Sequence, residues 1–234
     1  PALVVLSGDI TQRATPAQFA AARAFVDRLG PAPVLVVPGN HDIPLLNPLA
    51  RLFWPYARHR RAFGPALEPQ FTSPEWLVLC TNTTRRWRHR NGDISPAQIE
   101  RVATQLAQAD AHQLRLVVTH QPVAVTQPRD HHNLLRGHAQ AVRRWSQAGA
   151  DLVLGGHIHL PFVLPLQGLP RALWAVQAGT AVSSRLRREA GNSVHRIRYR
   201  YTGQRAALVE RWDYDAQRGE FACMATTDIL PDAH

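Results

Sequence analysis

Val34-Leu35-Val36-Val37-Pro38-Gly39-Asn40-His41-Asp42 is a short β-branched run that stops at Pro-Gly and gives way at once to an amide, an imidazole and a carboxylate. Apolar runs of this length, bounded by turn residues, read as buried strands. The same grammar recurs three times. Residues 2–6 precede Ser7-Gly8-Asp9, residues 114–118 precede Thr119-His120-Gln121, and residues 152–154 precede Gly155-Gly156-His157-Ile158-His159. In open α/β sheets the ligand crevice lies beyond the carboxyl ends of the strands, so four such ends can deliver side chains to one place.

Residues 77–80 and 173–177 are further strand candidates, and helical patterns separate the strands. Thr15 as N-cap, Pro16 and Gln18 predict a capping box opening a helix with Phe19, Ala22, Val26 and Leu29 on one face, ended by Gly30-Pro31. Ser95-Pro96-Ala97-Gln98 repeats the signal ahead of Ile99, Val102 and Leu106, and a third helix carries Val142 and Trp145 up to Gly149. From residue 194 to 214 the period becomes two, with Val194, Arg196, Arg198 and Arg200 alternating against His195, Ile197, Tyr199 and Tyr201, which predicts antiparallel closing strands. With no linker, low-complexity tract or repeat, residues 1–234 read as one α/β domain with parallel strands.

The chain has 234 residues, 45% of them apolar and 19% charged, and no apolar run approaches the ~20 residues of a membrane span. Disordered and membrane-spanning classes are excluded. Arginines number 27 against 17 acidic residues, a net charge of +10, and there is no lysine. An all-arginine balance fits genomic codon bias better than a dedicated polyanion surface, so nucleic acid is a permitted but not a favoured partner. The runs Arg58-His59-Arg60-Arg61 and Arg85-Arg86-Trp87-Arg88-His89-Arg90 read as solvated faces that would steer anionic substrate if they bordered a cleft. Asp130-His131-His132 and His138 read as part of a mobile surface stretch over residues 127–137. Cys80 and Cys223 have neither disulfide nor zinc spacing and read as buried hydrophobes, which leaves the cytoplasm as the default location.

Carboxylate, amide oxygen and imidazole form a ligand set suited to Mn, Fe or Zn rather than to Ca or thiolate-seeking copper. Glycine before Asp9, Asn40 and His157 lets the backbone turn a side chain back toward a metal. His157 and His159, two apart, would lie on one side of an extended segment and serve one metal or two adjacent ones. Each cluster alone is an ordinary polar turn; four of them, in order and all at strand ends, are a site.

Gly8-Asp9, Gly39-Asn40-His41-Asp42, His120 and Gly156-His157-Ile158-His159 resemble the signature of the calcineurin-like metallophosphoesterases over residues 2–180. The flanking wording Leu6-Ser7-Gly8-Asp9-Ile10-Thr11-Gln12 is most similar to bacterial members near the cyclic-nucleotide phosphodiesterase branch. The resemblance implies a four-layer α/β/β/α sandwich and a hydrolase of phosphodiesters or phosphomonoesters, working through two divalent transition-metal ions and a bridging hydroxide. It implies that Asp9 bridges the metals, that Asn40, His120 and His157 complete the second metal's shell, and that His159 serves the first. His41 is implied to be the catalytic histidine, oriented by Asp42. Such a centre, with metals about 3.5–4 Å apart, clamps the attacking and leaving oxygens of an in-line displacement.

Two departures stand out. The family's opening Asp-x-His, which equips the first metal, is missing ahead of Gly8, and the start at Pro1 directly before an apolar run reads as an N-terminal truncation. Gln121 stands where relatives often carry a second histidine, a change expected to alter substrate contacts at most. The rival expectations are a catalytically impaired domain that binds a single metal or an anionic partner, and a basic nucleic-acid-binding module.

Overall fold

Residues 1–232 are described by a computed structural model. In chain order the elements are β1 (Val4–Leu6), α1 (Pro16–Asp27), β2 (Val34–Val36), α2 (Pro48–Phe53), α3 (Ala57–Phe63), β3 (Gln70–Thr72), β4 (Trp76–Cys80), α4 (Pro96–Ala107), β5 (Leu114–Val118), α5 (His138–Gln147), β6 (Leu152–Gly155), β7 (Phe162–Pro165), β8 (Trp174–Gln177), β9 (Ser193–Tyr201), β10 (Arg205–Asp215) and β11 (Glu220–Ile229). Two 3-10 turns, Asn40–Asp42 and Pro128–Asn133, complete the list.

The central sheet runs β3-β4-β5-β6-β8-β7. Its inner strands β4, β5, β6 and β8 are parallel and its two edges antiparallel. Parallel strands are covered on both faces, which is why β5 is buried at every position. Alternate residues face opposite ways. Leu79, Val117, Val153 and Ala175 pack against Ile99, Val102 and Leu106 of α4 and Val142 and Trp145 of α5. Val78, Leu116, Leu152 and Val176 pack the other way, against Leu35 of β2 and Val37 just after it and against Ala207, Val209 and Ile229 from the outer sheet. Burying one large apolar side chain in either core contributes about 1.5–3 kcal/mol.

That second β layer has two parts, the parallel pair β1-β2 and the antiparallel sheet β11-β10-β9. α1 is the crossover between β1 and β2, and its Phe19 meets His59 and Phe63 of α3 edge-on. The layers are therefore helix, sheet, sheet, helix. Among the described residues no helix is long and apolar enough to cross a membrane.

All six strands expected from the sequence are present, with ends shifted by no more than two residues. The antiparallel closing strands are three, and they extend beyond residue 214 to Ile229. Ser95 and Gln98 form the full capping box at α4. At α1 only half of the box forms: Thr15 accepts from Gln18 N, but the Gln18 side chain accepts from Arg13 N. The stretch 127–137 is no free loop. Its 3-10 turn buries Asp130, which the Arg187 guanidinium grips with both terminal nitrogens at 3.1 Å. His59 also departs from the solvated-face reading: it is wholly buried between Phe19 and Phe63.

Candidate metal centre

Four strand ends deliver the polar clusters to one place. Gly8-Asp9 follows β1, Gly39–Asp42 follows β2, Thr119–Gln121 follows β5, and Gly156–His159 follows β6. The β1 and β2 ends belong to one sheet and the β5 and β6 ends to the other, so the site lies where the two β layers meet at their carboxyl edges. Close approach of these loops requires glycine at two positions. Gly8 has φ +98°, and a Cβ there would lie 2.3 Å from His120 Nδ1. On Gly39 a Cβ would lie 2.0 Å from Asp9 N.

Backbone strain gathers at the same loops. The described non-glycine residues with positive φ are Asp9 (54°), Ala14 (50°), His157 (73°) and His159 (55°), so three of the four belong to the predicted site. Each such conformation costs roughly 1–3 kcal/mol and persists only where the surroundings enforce it.

The ligand atoms of Asp9, His120 and His157 lie within 4.8 Å of one another. Asn40 Oδ1 joins them, 3.0 Å from His120 Nε2 and 2.8 Å from His157 Nδ1. His120 is fully buried, and its Nδ1–H donates to Ser7 O at 2.7 Å, which aims Nε2 at Asp9 Oδ1 3.3 Å away. Locking one imidazole nitrogen on a backbone carbonyl so that the other faces a cation is the usual outer support of a metal-ligating histidine. Burial works to depress His120, but the Asp9 charge, the bond to Asp9 and the Ser7 carbonyl outweigh it and raise its pKa. Burial works to raise Asp9, yet His120 and His41 hold its carboxyl below the usual carboxylate range. Burial, reinforced by neighbouring His120, pushes His157 down to about 3 and keeps it neutral, the form that binds metal. A carboxylate, an amide oxygen and two imidazoles with converging lone pairs fit a divalent transition metal.

His41 stands at the edge of this group. Its backbone N–H donates to Asp9 Oδ1 at 2.9 Å, and its Nδ1–H donates to Gln12 O at 3.1 Å, leaving Nε2 for a substrate. The resemblance gave Asp42 the task of orienting His41; the structure gives it another. The Asp42 carboxylate accepts from Gly39 N, Ile10 N, Thr11 N and the Thr11 hydroxyl, at 2.8 to 3.1 Å, and so clamps the Asp9 loop to the Asn40 loop. Burial and the nearby Asp9 charge push it up to about 6 despite those bonds.

His159 lies outside the converging group. His157 and His159 have left-handed rather than extended backbone, so the same-side expectation fails, and His159 Nδ1 donates to Arg185 O at 3.0 Å. Gln121 touches no open cleft. It is fully buried, accepting from the Thr83 hydroxyl at 2.5 Å and donating to Arg90 O at 3.3 Å, which ties the arginine-rich loop to the end of β5. Three residues near the site have no site role in the sequence reading: Gln12, which holds His41; Arg185, which donates to Gln12 Oε1 at 2.7 Å; and His89, whose ring meets His41 edge-on at 5.4 Å. None sits in a ligand-type pattern. A polar cleft of about 500 Å³ beside Arg60, Glu68, Asn82, Arg85 and Gln98 includes none of the converging ligands.

The family profile of the calcineurin-like phosphoesterases matches residues 1–161. No curated protein sequence matches the chain significantly. Among solved structures, a dimetal phosphatase from Danio rerio superposes with a TM-score of 0.67 at 13% identity, covering 99% of this chain and 84% of the other. A putative 5'-nucleotidase from Staphylococcus aureus, crystallised with alpha-ketoglutarate, gives 0.51 at 13% identity, covering 97% of this chain and 44% of the other. At these identities the likeness is one of fold.

Proposed function

Because the chain belongs to the calcineurin-like phosphoesterase family, we propose that it is a metal-dependent hydrolase of small phosphate esters in the cytoplasm, with its chemistry at the Asp9 cluster. One observation carries the reading: Asp9, His120 and His157 bring ligand atoms within 4.8 Å of one another, with Asn40 Oδ1 among them. Asp9, Asn40, His120 and His157 would hold one divalent Mn, Fe or Zn ion; Asp9 and His159 would hold a second. Bound metal supplies an activated water nucleophile and offsets charge on the phosphoryl oxygens.

The chain's own residues do the rest. His120 and His157 are fixed by the Ser7 carbonyl and by burial, so the centre is preorganised. His41 is the catalytic residue. With Nδ1–H on Gln12 O, Nε2 carries a proton only in the imidazolium, and in that form it gives the proton to the leaving oxygen or a hydrogen bond to the phosphoryl group. Asp42 is a positioning residue that keeps Asp9 and Asn40 in register.

A second reading, a domain that binds a single metal without turnover, is favoured by the placement of His159 against Arg185 O, outside the cluster. The experiment that separates the two is metal counting by mass spectrometry on chelator-stripped and reloaded protein. It is paired with hydrolysis of p-nitrophenyl phosphate and bis-p-nitrophenyl phosphate. Two metals per chain with metal-restored turnover supports the hydrolase; one metal and no turnover supports the binding domain; turnover that survives stripping overturns both.

A further inference from the structure

Among the described residues, seven of the fourteen exposed large apolar side chains lie in two short segments beside the site: Leu45, Leu46, Leu49, Leu52, Phe53 and Trp54 in one, Trp87 in the other. Exposure is high, 79% at Leu46, 66% at Trp54 and 67% at Trp87. α2 buries none of its residues, so its leucines do no work in the core. The segments are stitched together. Arg51 Nε donates to Arg86 O at 2.6 Å, the Arg86 guanidinium donates to Leu52 O, and Arg86 lies over the Trp87 ring at 5.2 Å. The first segment continues directly from the Asn40–Asp42 turn, and the second carries His89 onto the His41 ring. A contiguous apolar patch of this kind on a folded domain marks an interaction surface.

Charge identifies what the surface meets. No Asp or Glu occurs from residue 43 to 67 or from 81 to 92. Arg51, Arg86, Arg88 and Arg90 form no ion pair among the described residues. A second copy seated on the patch would set arginine against arginine. Nucleic acid would stack on the tryptophans but offers no apolar phase to Leu45, Leu46, Leu49 and Leu52. An anionic bilayer offers both, because leucine, phenylalanine and tryptophan enter the acyl boundary while arginines reach the headgroups. We propose that this collar of leucine, tryptophan and arginine docks the protein on an anionic lipid surface beside its metal-centre cleft.

The test is co-sedimentation of metal-loaded protein with vesicles of phosphatidylcholine containing phosphatidylglycerol, against phosphatidylcholine alone. Wild type is expected to pellet with the anionic vesicles, and the Leu46→Glu/Leu49→Glu variant to bind them at least about tenfold more weakly. Both changes are at exposed positions, so the melting temperature and any turnover of a small soluble ester stay at wild-type values. Brominated acyl chains are expected to quench wild-type tryptophan fluorescence more than that of Trp54→Phe/Trp87→Phe. Asp9→Asn is expected to bind vesicles as wild type does, which keeps failure of docking distinct from failure of the hydrolytic reading. The proposal is overturned by absence of wild-type binding, by binding that Leu46→Glu/Leu49→Glu leaves intact, by binding that salt alone abolishes, or by a dimer that this variant dissociates while vesicles are ignored.

Discussion

The loops that end β1, β2, β5 and β6 and the outer sheet β9–β11 are built on opposite terms. The loops are buried, polar and strained, with three left-handed non-glycine residues, and bonds join residues as far apart as Asn40 and His157. The outer sheet is regular. Its inward positions Ile197, Val209 and Ile229 feed the core, its outward arginines face water, and its one irregularity is a bulge between Arg211 and Trp212. Stability resides in periodic burial; the proposed chemistry falls to the loops, where periodicity is abandoned and each polar atom needs a specific partner. Substitutions in the two regions should therefore differ in kind as well as in size.

The largest expected effect is Asp9→Asn. The amide keeps an acceptor for His41 N but loses the charge that holds a cation, so hydrolysis of p-nitrophenyl phosphate is expected to fall by about 10³-fold or more, roughly 4 kcal/mol of transition-state stabilisation. Turnover within tenfold of wild type would remove Asp9 from the centre. Gly39→Ala comes next. Its Cβ would sit 2.0 Å from Asp9 N, against backbone that cannot yield. Thermal unfolding is expected to show a loss of about 3 kcal/mol, together with weakened metal binding. An unchanged melting temperature would mean that the loops are looser than their contacts imply.

Smaller effects are expected in the outer sheet. Burial, with Arg211 directly across in β10, pushes His195 down to about 4. A histidine depressed on folding binds protons more readily when unfolded. Its contribution is therefore whole above about pH 6.5 and is lost as pH falls toward 4. After discounting for partial exposure, the loss is on the order of 1–2 kcal/mol. Melting curves between pH 7 and 4 are expected to be flatter for His195→Phe than for wild type, and identical slopes would remove His195 from the account. The smallest effect is Arg198→Gln, which removes the exposed partner from Glu210 and leaves that carboxylate on Arg196 and Trp212. Both melting temperature and turnover are expected to stay at wild-type values, and a clear fall in turnover would mean that the sheet does more than cover the core.

The strands that sequence patterning missed share one property. β3, β7 and β11 are all sheet edges, paired on one side only. An edge strand is selected by the neighbour it bonds to, so it need not carry the dense apolar run that announces an inner strand. α2 and α3 escape for a related reason: they have six and seven residues, too few to show a helical period, and the apolar residues of α2 serve no core. The ligand-type residues were legible because glycine-bounded clusters of carboxylate, amide and imidazole after apolar runs are rare as ordinary turns. Gln12 and His89 were not, because glutamine in a loop and histidine in an arginine-rich run have many other uses.

Legible in the chain alone were the inner strands β1, β2, β4, β5, β6 and β8, the helices α1, α4 and α5, the caps that open α1 and α4, and the four strand ends that carry ligand-type residues. All of these rest on interactions within a few residues or on a period that a single element imposes. Assembly of the layers brings Asn40 to His120 and His157, makes Asp42 a clamp on two loops instead of an orienter of His41, turns His159 to Arg185, and leaves the leucines after Asp42 outside the core. These contacts span tens of residues and depend on how two sheets meet at their carboxyl edges. No local period encodes that meeting, because the free energy that fixes it comes from packing the layers against each other.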